Sequence, residues 1–204
     1  MAATWPRRPR WRRAPAPAPA METVIYLDID GVLNVGIGDD HGMPPLLLSE
    51  RNSRMALAGR VHQRTRRHQE CIEKVASVAN MSLGSGEKGT YLDLACDGAD
   101  ACVDVLVGRL AHIIRAAGEK PHVVLASVWR HLRHAERVRQ LEEKISQQLG
   151  KGATFAFDGA TELLAEREPS DRLRCIGDHL SKFCSRNRCA DAVRVVVLDD
   201  FFVT

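Results

Sequence analysis

The run Val24-Ile25-Tyr26-Leu27-Asp28-Ile29-Asp30-Gly31-Val32-Leu33-Asn34 carries an apolar segment into two carboxylates two residues apart and then into a glycine turn. Side chains alternate faces along a strand, so Asp28 and Asp30 share a side if extended backbone continues through both. At the carboxyl end of a strand they stand where open α/β sheets bind ligands. Two carboxylates this close repel unless a proton or a cation joins them, and a hard divalent ion such as Mg2+ suits their oxygens. Two more apolar runs end in groups of the same kind: Val123 to Ala126 leads into Ser127, and Val193 to Leu198 leads into Asp199-Asp200. In a parallel sheet these ends lie on one edge, so four carboxylates and a hydroxyl distant in sequence can converge. Such a set suits phosphoryl transfer, where positioning and positive charge do most of the catalysis.

The elements that must position these groups follow from hydrophobic spacing. The first strand covers about residues 23–29. Residues 60–80 carry apolar positions partly at helical spacing, and 81–89 read as loop. From 101 to 117 the pattern is helical, closed by Gly118. Residues 121–127 read as a buried strand, 132–149 as a charged helix closed by Gly150, and 154–157 as a short strand. Ser170 is a plausible N-cap for a helix over about 171–185, and the last strand runs from Val193 to Leu198. Strands alternating with helices imply a parallel sheet covered on both faces, that is, an α/β, Rossmann-like three-layer α/β/α fold. Right-handed crossovers make that arrangement the natural one.

The opening run closely resembles the first motif of the haloacid dehalogenase (HAD) superfamily of phosphohydrolases. The resemblance implies that Asp28 is the nucleophile and Asp30 the general acid/base. Ser127 matches the second motif, whose hydroxyl holds the phosphoryl group. Its neighbourhood, Leu125-Ala126-Ser127-Val128-Trp129-Arg130, resembles the Ser/Thr-x-Trp-Arg segment of a small branch that includes domains linked to RNA repair. Asp199-Asp200 match the acidic fourth motif. The third motif requires a cation, for which Arg172 is the first candidate and Lys182 the second. Arg130 is a candidate for phosphate binding or site organisation, and Trp129 reads as packing before substrate contact.

The resemblance therefore implies a Mg2+-dependent phosphatase acting through an aspartyl-phosphate. Asp28, Asp30, Asp199 and Asp200 would hold the metal, and Asp28, Ser127, Arg130 and Arg172 would meet the phosphoryl group. The substrate would be a phosphorylated small molecule or a polynucleotide end. It covers about residues 21–34 and 102–200. HAD proteins ordinarily continue past the fourth motif with another strand and helix, whereas this sequence stops at Thr204. The last strand is thus expected at an uncovered sheet edge, and a catalytically inactive or truncated HAD-like binding domain is the alternative reading. Residues 35–100 stand where HAD enzymes often insert a cap, and are expected to form a partly ordered insertion.

Composition narrows the remaining classes. The chain has 204 residues, 45% hydrophobic and 27% charged, which suits a single domain with a real core. No apolar run approaches the roughly 20 residues of a membrane helix, so no membrane partner is expected. The net charge of +3 is concentrated in residues 1–20, an Arg/Pro/Ala-rich tail without acids that is expected to be disordered. The tail loosely resembles an organellar transit peptide, but it lacks serine, and Met21 could equally be the true start. Six cysteines form no Cys-x-x-Cys pair, and no signal-peptide core is present, so reduced thiols and a cytoplasmic setting are expected, with an organelle as the alternative. Arg51, Arg54, Arg60, Arg64, Arg66 and Arg67, with His62 and His68, make a basic stretch that a nucleic-acid-binding module would use, although aromatic interleaving for base stacking is missing. His131 and His134 share a helix-like spacing but find no third metal ligand in sequence. Oligomeric state is not set by any of these features.

Overall fold

Glu22–Leu27 form strand β1, whose Thr23 to Leu27 side chains are all buried. A strand apolar on both faces belongs in the middle of a sheet covered on both sides. The structure, a computed structural model, describes residues 21–37, 46–58, 66–84, 86–97, 102–162, 169–187 and 192–200. The expected disorder of residues 1–20 falls outside these. Along the chain come β2 (Gly36–Ile37), β3 (Leu46–Leu47), α1 (Glu50–Leu57) and α2 (Arg66–Ala79). After them lie α3 (Asp104–Ala116), β4 (His122–Leu125), α4 (Ala135–Leu149), β5 (Gly159–Ala160), α5 (Pro169–Asn187) and β6 (Val193–Leu198).

The main sheet has the order β5-β4-β1-β6, and every pairing in it is parallel. Register aligns Leu27 of β1 with Leu125 of β4 and with Leu198 of β6. The three strands that precede the candidate residues therefore end level with one another.

Alternation assigns the two faces. Ile25, Leu27, Val123 and Leu125 pack with Val107, Leu110 and Ile114 of α3 and with Leu141 and Ile145 of α4. Val24, Tyr26, Val124 and Ala126 turn the other way and pack with Ile176 of α5. The chain moves outward from β1 to β4 to β5 with α3 and α4 on one face. It then crosses back over the sheet through α5 to reach β6 on the far side of β1. Right-handed crossovers require the helix to change face when the direction reverses. The result is the three-layer α/β/α sandwich expected from the sequence. β6 ends the sheet; among the described residues nothing pairs with its outer edge, and Val195 and Val197 stay 40% and 41% exposed.

Three elements depart from the sequence reading. Residues 154–157 are not a strand. The Phe155 amide donates to Ser146 Oγ at 2.9 Å and the Phe157 amide to Glu142 Oε1 at 2.9 Å, so side chains of α4 take the hydrogen bonds a sheet would need. The sheet partner is instead Gly159–Ala160. Helix α5 begins at Pro169, one residue before the expected cap, because proline's fixed φ and missing N–H suit the first helical position. Residues 50–57, without clear periodicity, form α1.

The described parts of 35–100 hold a small apolar cluster of Ile37, Leu48, Val75 and Ala79, and their Leu94 and Cys96 pack with Val103 just beyond the segment. The Leu48 amide donates to Val35 O, next to the turn after β1, and the Cys96 amide to Leu48 O; just beyond the segment, the Val103 amide donates to Leu33 O in that turn. No helix among the described residues is long and apolar enough to cross a membrane.

Candidate active site

The ladder continues one residue past β1, because the Asp28 amide donates to Leu198 O at 2.8 Å. The alternation that puts Val24 and Tyr26 on the α5 face thus also puts Asp28 there, and Ile29 still packs on the opposite face. The chain then turns: the Val32 and Leu33 amides both donate to Ile29 O, at 3.2 and 2.8 Å. Gly31 sits in this turn at φ 84°, and a Cβ there would lie 2.1 Å from Asp200 Oδ2. Only glycine gives both the left-handed backbone and the room for that carboxylate.

Asp28 is buried. Its Oδ1 accepts from the Ile29 amide at 2.7 Å and its Oδ2 from Arg172 Nη1. The Ser127 hydroxyl also bonds to it. Burial pushes the Asp28 carboxyl up, more than Arg172, Ser127 and the Ile29 amide together pull it down.

Arg172 reaches the site from the first turn of α5. The same Nη1 that meets Asp28 also donates to Asp199 Oδ2 at 3.0 Å. Desolvation opposes the guanidinium charge, but Asp28 and Asp199 outweigh it and hold Arg172 above the ordinary arginine range. Lys182, the other candidate cation, pairs with Glu162 instead, away from Asp28.

Ser127 has no exposed surface. It caps the short turn Val128–Arg130, where its Oγ accepts from the Trp129 amide across a long 3.4 Å, and it also reaches Asp28. Capping and site geometry therefore coincide in one hydroxyl. Arg130, expected near phosphate, donates from Nη1 to the Ser127 carbonyl at 2.8 Å and braces this loop.

Oxygens of Asp28, Asp199 and Asp200 all lie within 4.8 Å of one another, a spacing that could hold a metal ion. Burial pushes the Asp200 carboxyl up, and Asp199 and then Asp30 add to the effect against the opposing pull of Arg172. Three carboxylates against one guanidinium leave negative charge that a hard cation such as Mg2+, taking oxygen ligands, would offset.

Asp30 was expected among these acids, and its carboxylate is not one of the three. The turn at Ile29 ends the extension that would have kept it beside Asp28. Its Oδ1 accepts from Asn34 Nδ2 at 2.9 Å and its Oδ2 from Trp129 Nε1 at 3.1 Å. The sequence reading missed both donors. Asn34 closes the same run that contains the aspartates, and a short polar amide four residues after an acid at a turn was the available signal. Trp129 reads as packing in the sequence, and it does pack, the residue being 4% exposed.

The weaker constellations separate from this site. The Trp129 ring stacks with His134 at 6.0 Å, and no third ligand joins His131 and His134 among the described residues. Arg54 pairs with Glu50 on α1. Arg60, His62 and Arg64 lie outside the described residues, as do the side chains of Arg66, Arg67 and His68. Compared with known proteins, the chain matches no family model, no curated protein and no solved structure.

Proposed function

We propose that the protein is a Mg2+-dependent phosphohydrolase of HAD type that cleaves a phosphate monoester through an aspartyl-phosphate on Asp28. The substrate class is a phosphorylated small molecule or a polynucleotide end. The observation that carries the reading is the meeting of Asp28, Ser127, Arg172, Asp199 and Asp200 at the carboxyl ends of three parallel strands.

In this reading an Asp28 oxygen attacks phosphorus, and the bond from phosphorus to the ester oxygen breaks. Asp30 delivers a proton to the departing oxygen, then takes one from a water that attacks the phosphoryl group. That second attack frees the Asp28 carboxylate and inorganic phosphate, and leaves Asp30 protonated for the next cycle. The Ser127 hydroxyl and the Arg172 guanidinium would hold phosphoryl oxygens, the arginine as a charge-assisted donor. Asp28, Asp199 and Asp200 would hold Mg2+, which would supply charge stabilisation to the transferring group.

The test is phosphate release from 4-nitrophenyl phosphate with Mg2+. Asp28→Asn should abolish it, because an amide cannot form the acyl phosphate. Turnover unchanged from the wild type would remove Asp28 as nucleophile, and a wild-type protein inert with Mg2+ would remove the hydrolase reading.

A further inference from the structure

Asp30 is held from two strand ends at once. Asn34 belongs to the turn after β1, and Trp129 to the loop after β4; they donate to opposite oxygens of its carboxylate at 2.9 and 3.1 Å. Neither donor is at liberty to turn away. Asn34 is 1% exposed, and its own Oδ1 accepts from the Gly31 amide at 3.0 Å, which fixes Nδ2 towards Asp30. The Trp129 ring is packed into the core beneath α4, with His134 stacked on it and the Arg137 guanidinium 5.8 Å from its centre. An indole has one polar atom, and a buried indole N–H requires an acceptor. Here that acceptor is Asp30.

An aspartate at a turn has two rotatable bonds. Without these donors it could swing towards Asp28 and Asp200, where a cation would draw it in. We propose that Trp129 and Asn34 are positioning residues that keep the Asp30 carboxylate out of the metal-holding group and reserve it for proton transfer. This inference rests on the phosphohydrolase reading. The Trp129 amide also meets Ser127 Oγ, so one residue ties the place of the proton donor to the place of the phosphoryl-holding hydroxyl. Proton transfer in a transition state depends on heavy-atom placement within hydrogen-bond reach.

The experiment uses the full chain with Mg2+ and two probes. The leaving group of 4-nitrophenyl phosphate needs no proton, whereas that of ethyl phosphate does. Trp129→Phe keeps the ring and deletes the N–H. It should lower kcat/KM, which reports only the step that expels the leaving group, by about tenfold or more on ethyl phosphate, with a smaller loss on 4-nitrophenyl phosphate. Adding Trp129→Phe to Asp30→Asn should cost nothing further, since the indole acts through Asp30. Asn34→Ala is the second variant and should show the same split between probes. Equal losses of kcat/KM on both probes, or an unchanged kcat/KM, would overturn the positioning role while leaving the hydrolase reading standing. Wild-type protein inert on both probes would overturn that reading and this inference with it. A readout independent of turnover is the Trp129 indole resonance in 15N NMR. It should exchange slowly with solvent and shift on Asp30→Asn; free exchange in the wild type would overturn the clamp whatever the kinetics.

Discussion

Arg172 brings a guanidinium to two carboxylates, Asp28 and Asp199, that have almost no access to solvent. Such a pair adds little net stability over an apolar substitute, but removing one member strands the other as a buried, uncompensated charge. Arg172→Ala leaves Asp28 beside Asp199 and Asp200 with no guanidinium between them. It should cost about 3–5 kcal/mol of unfolding free energy, measured in urea. Asp28→Asn should cost less, because Arg172 keeps Asp199. Equal losses would mean that the pair is not the buried charge contact described. The residues of this cluster were legible because each directly follows an apolar run or opens a helical pattern. Sequence alone could not choose between Arg172 and Lys182, both on one helix, because the choice depends on which end of α5 lies over the strand ends. The direction of the Asp30 side chain was hidden for another reason. Whether extension continues past Asp28 is decided by the bonds from Val32 and Leu33 back to Ile29, and periodicity does not report those.

At the scale of elements, α4 does more than cover the sheet. Its apolar stripe is evident in the sequence, and Leu141 and Ile145 are buried as that stripe requires. Its polar side holds the following segment away from the sheet. Ser146 Oγ donates to Glu142 O at 2.7 Å and accepts from the Phe155 amide at 2.9 Å. The pattern Thr154-Phe155-Ala156-Phe157 alternates as a strand does, so sequence reasoning put a strand there. The two rings instead meet edge to face at 5.2 Å and pack against the core of the α3 and α4 face. Ser146→Ala removes the acceptor of a partly buried amide and should cost about 1–2 kcal/mol. Hydrogen exchange at the Phe155 amide should accelerate in that variant more than exchange within β4. If the Phe155 amide keeps its protection, some other group holds it. The helix α1 was not legible, because ERNSRMAL offers too few apolar positions for an amphipathic signal.

For the molecule as a whole, the alternation of strands and helices was sufficient to read a parallel three-layer fold, whereas that alternation alone does not say that β6 lies at an edge. The sandwich joins its layers through a few polar contacts, one of which should govern stability in alkali. Tyr26 on β1 is fully buried against α5, and its hydroxyl lies 3.0 Å from His179 Nδ1. Burial, with a smaller contribution from Cys184, pushes this hydroxyl from 10.0 up to about 12. Below pH 10 the phenol is neutral in folded and unfolded chains alike, and stability is unaffected by its titration. Between about pH 10 and 12 the unfolded chain gives up the proton while the folded one retains it. Stability should then fall by about 2–3 kcal/mol across that interval. Tyr26→Phe should flatten this loss relative to the wild type in denaturant titrations at a series of pH values; an identical slope in both would assign it to other groups.

Arg172 stands 144 residues after Asp28, and Asp199 a further 27 beyond Arg172. No stretch of neighbouring sequence can assemble this cluster by itself. Closing loops of that length is slow, and parallel pairing of β1 with β6 yields nothing until it is complete. The pairing that seats β6 against β1 is also the one that brings Asp199 to Arg172, so an assembled cluster becomes a report of completed topology. A chain that has collapsed and built its helices but not yet seated β6 would look largely native to a spectroscopist and still lack the cluster.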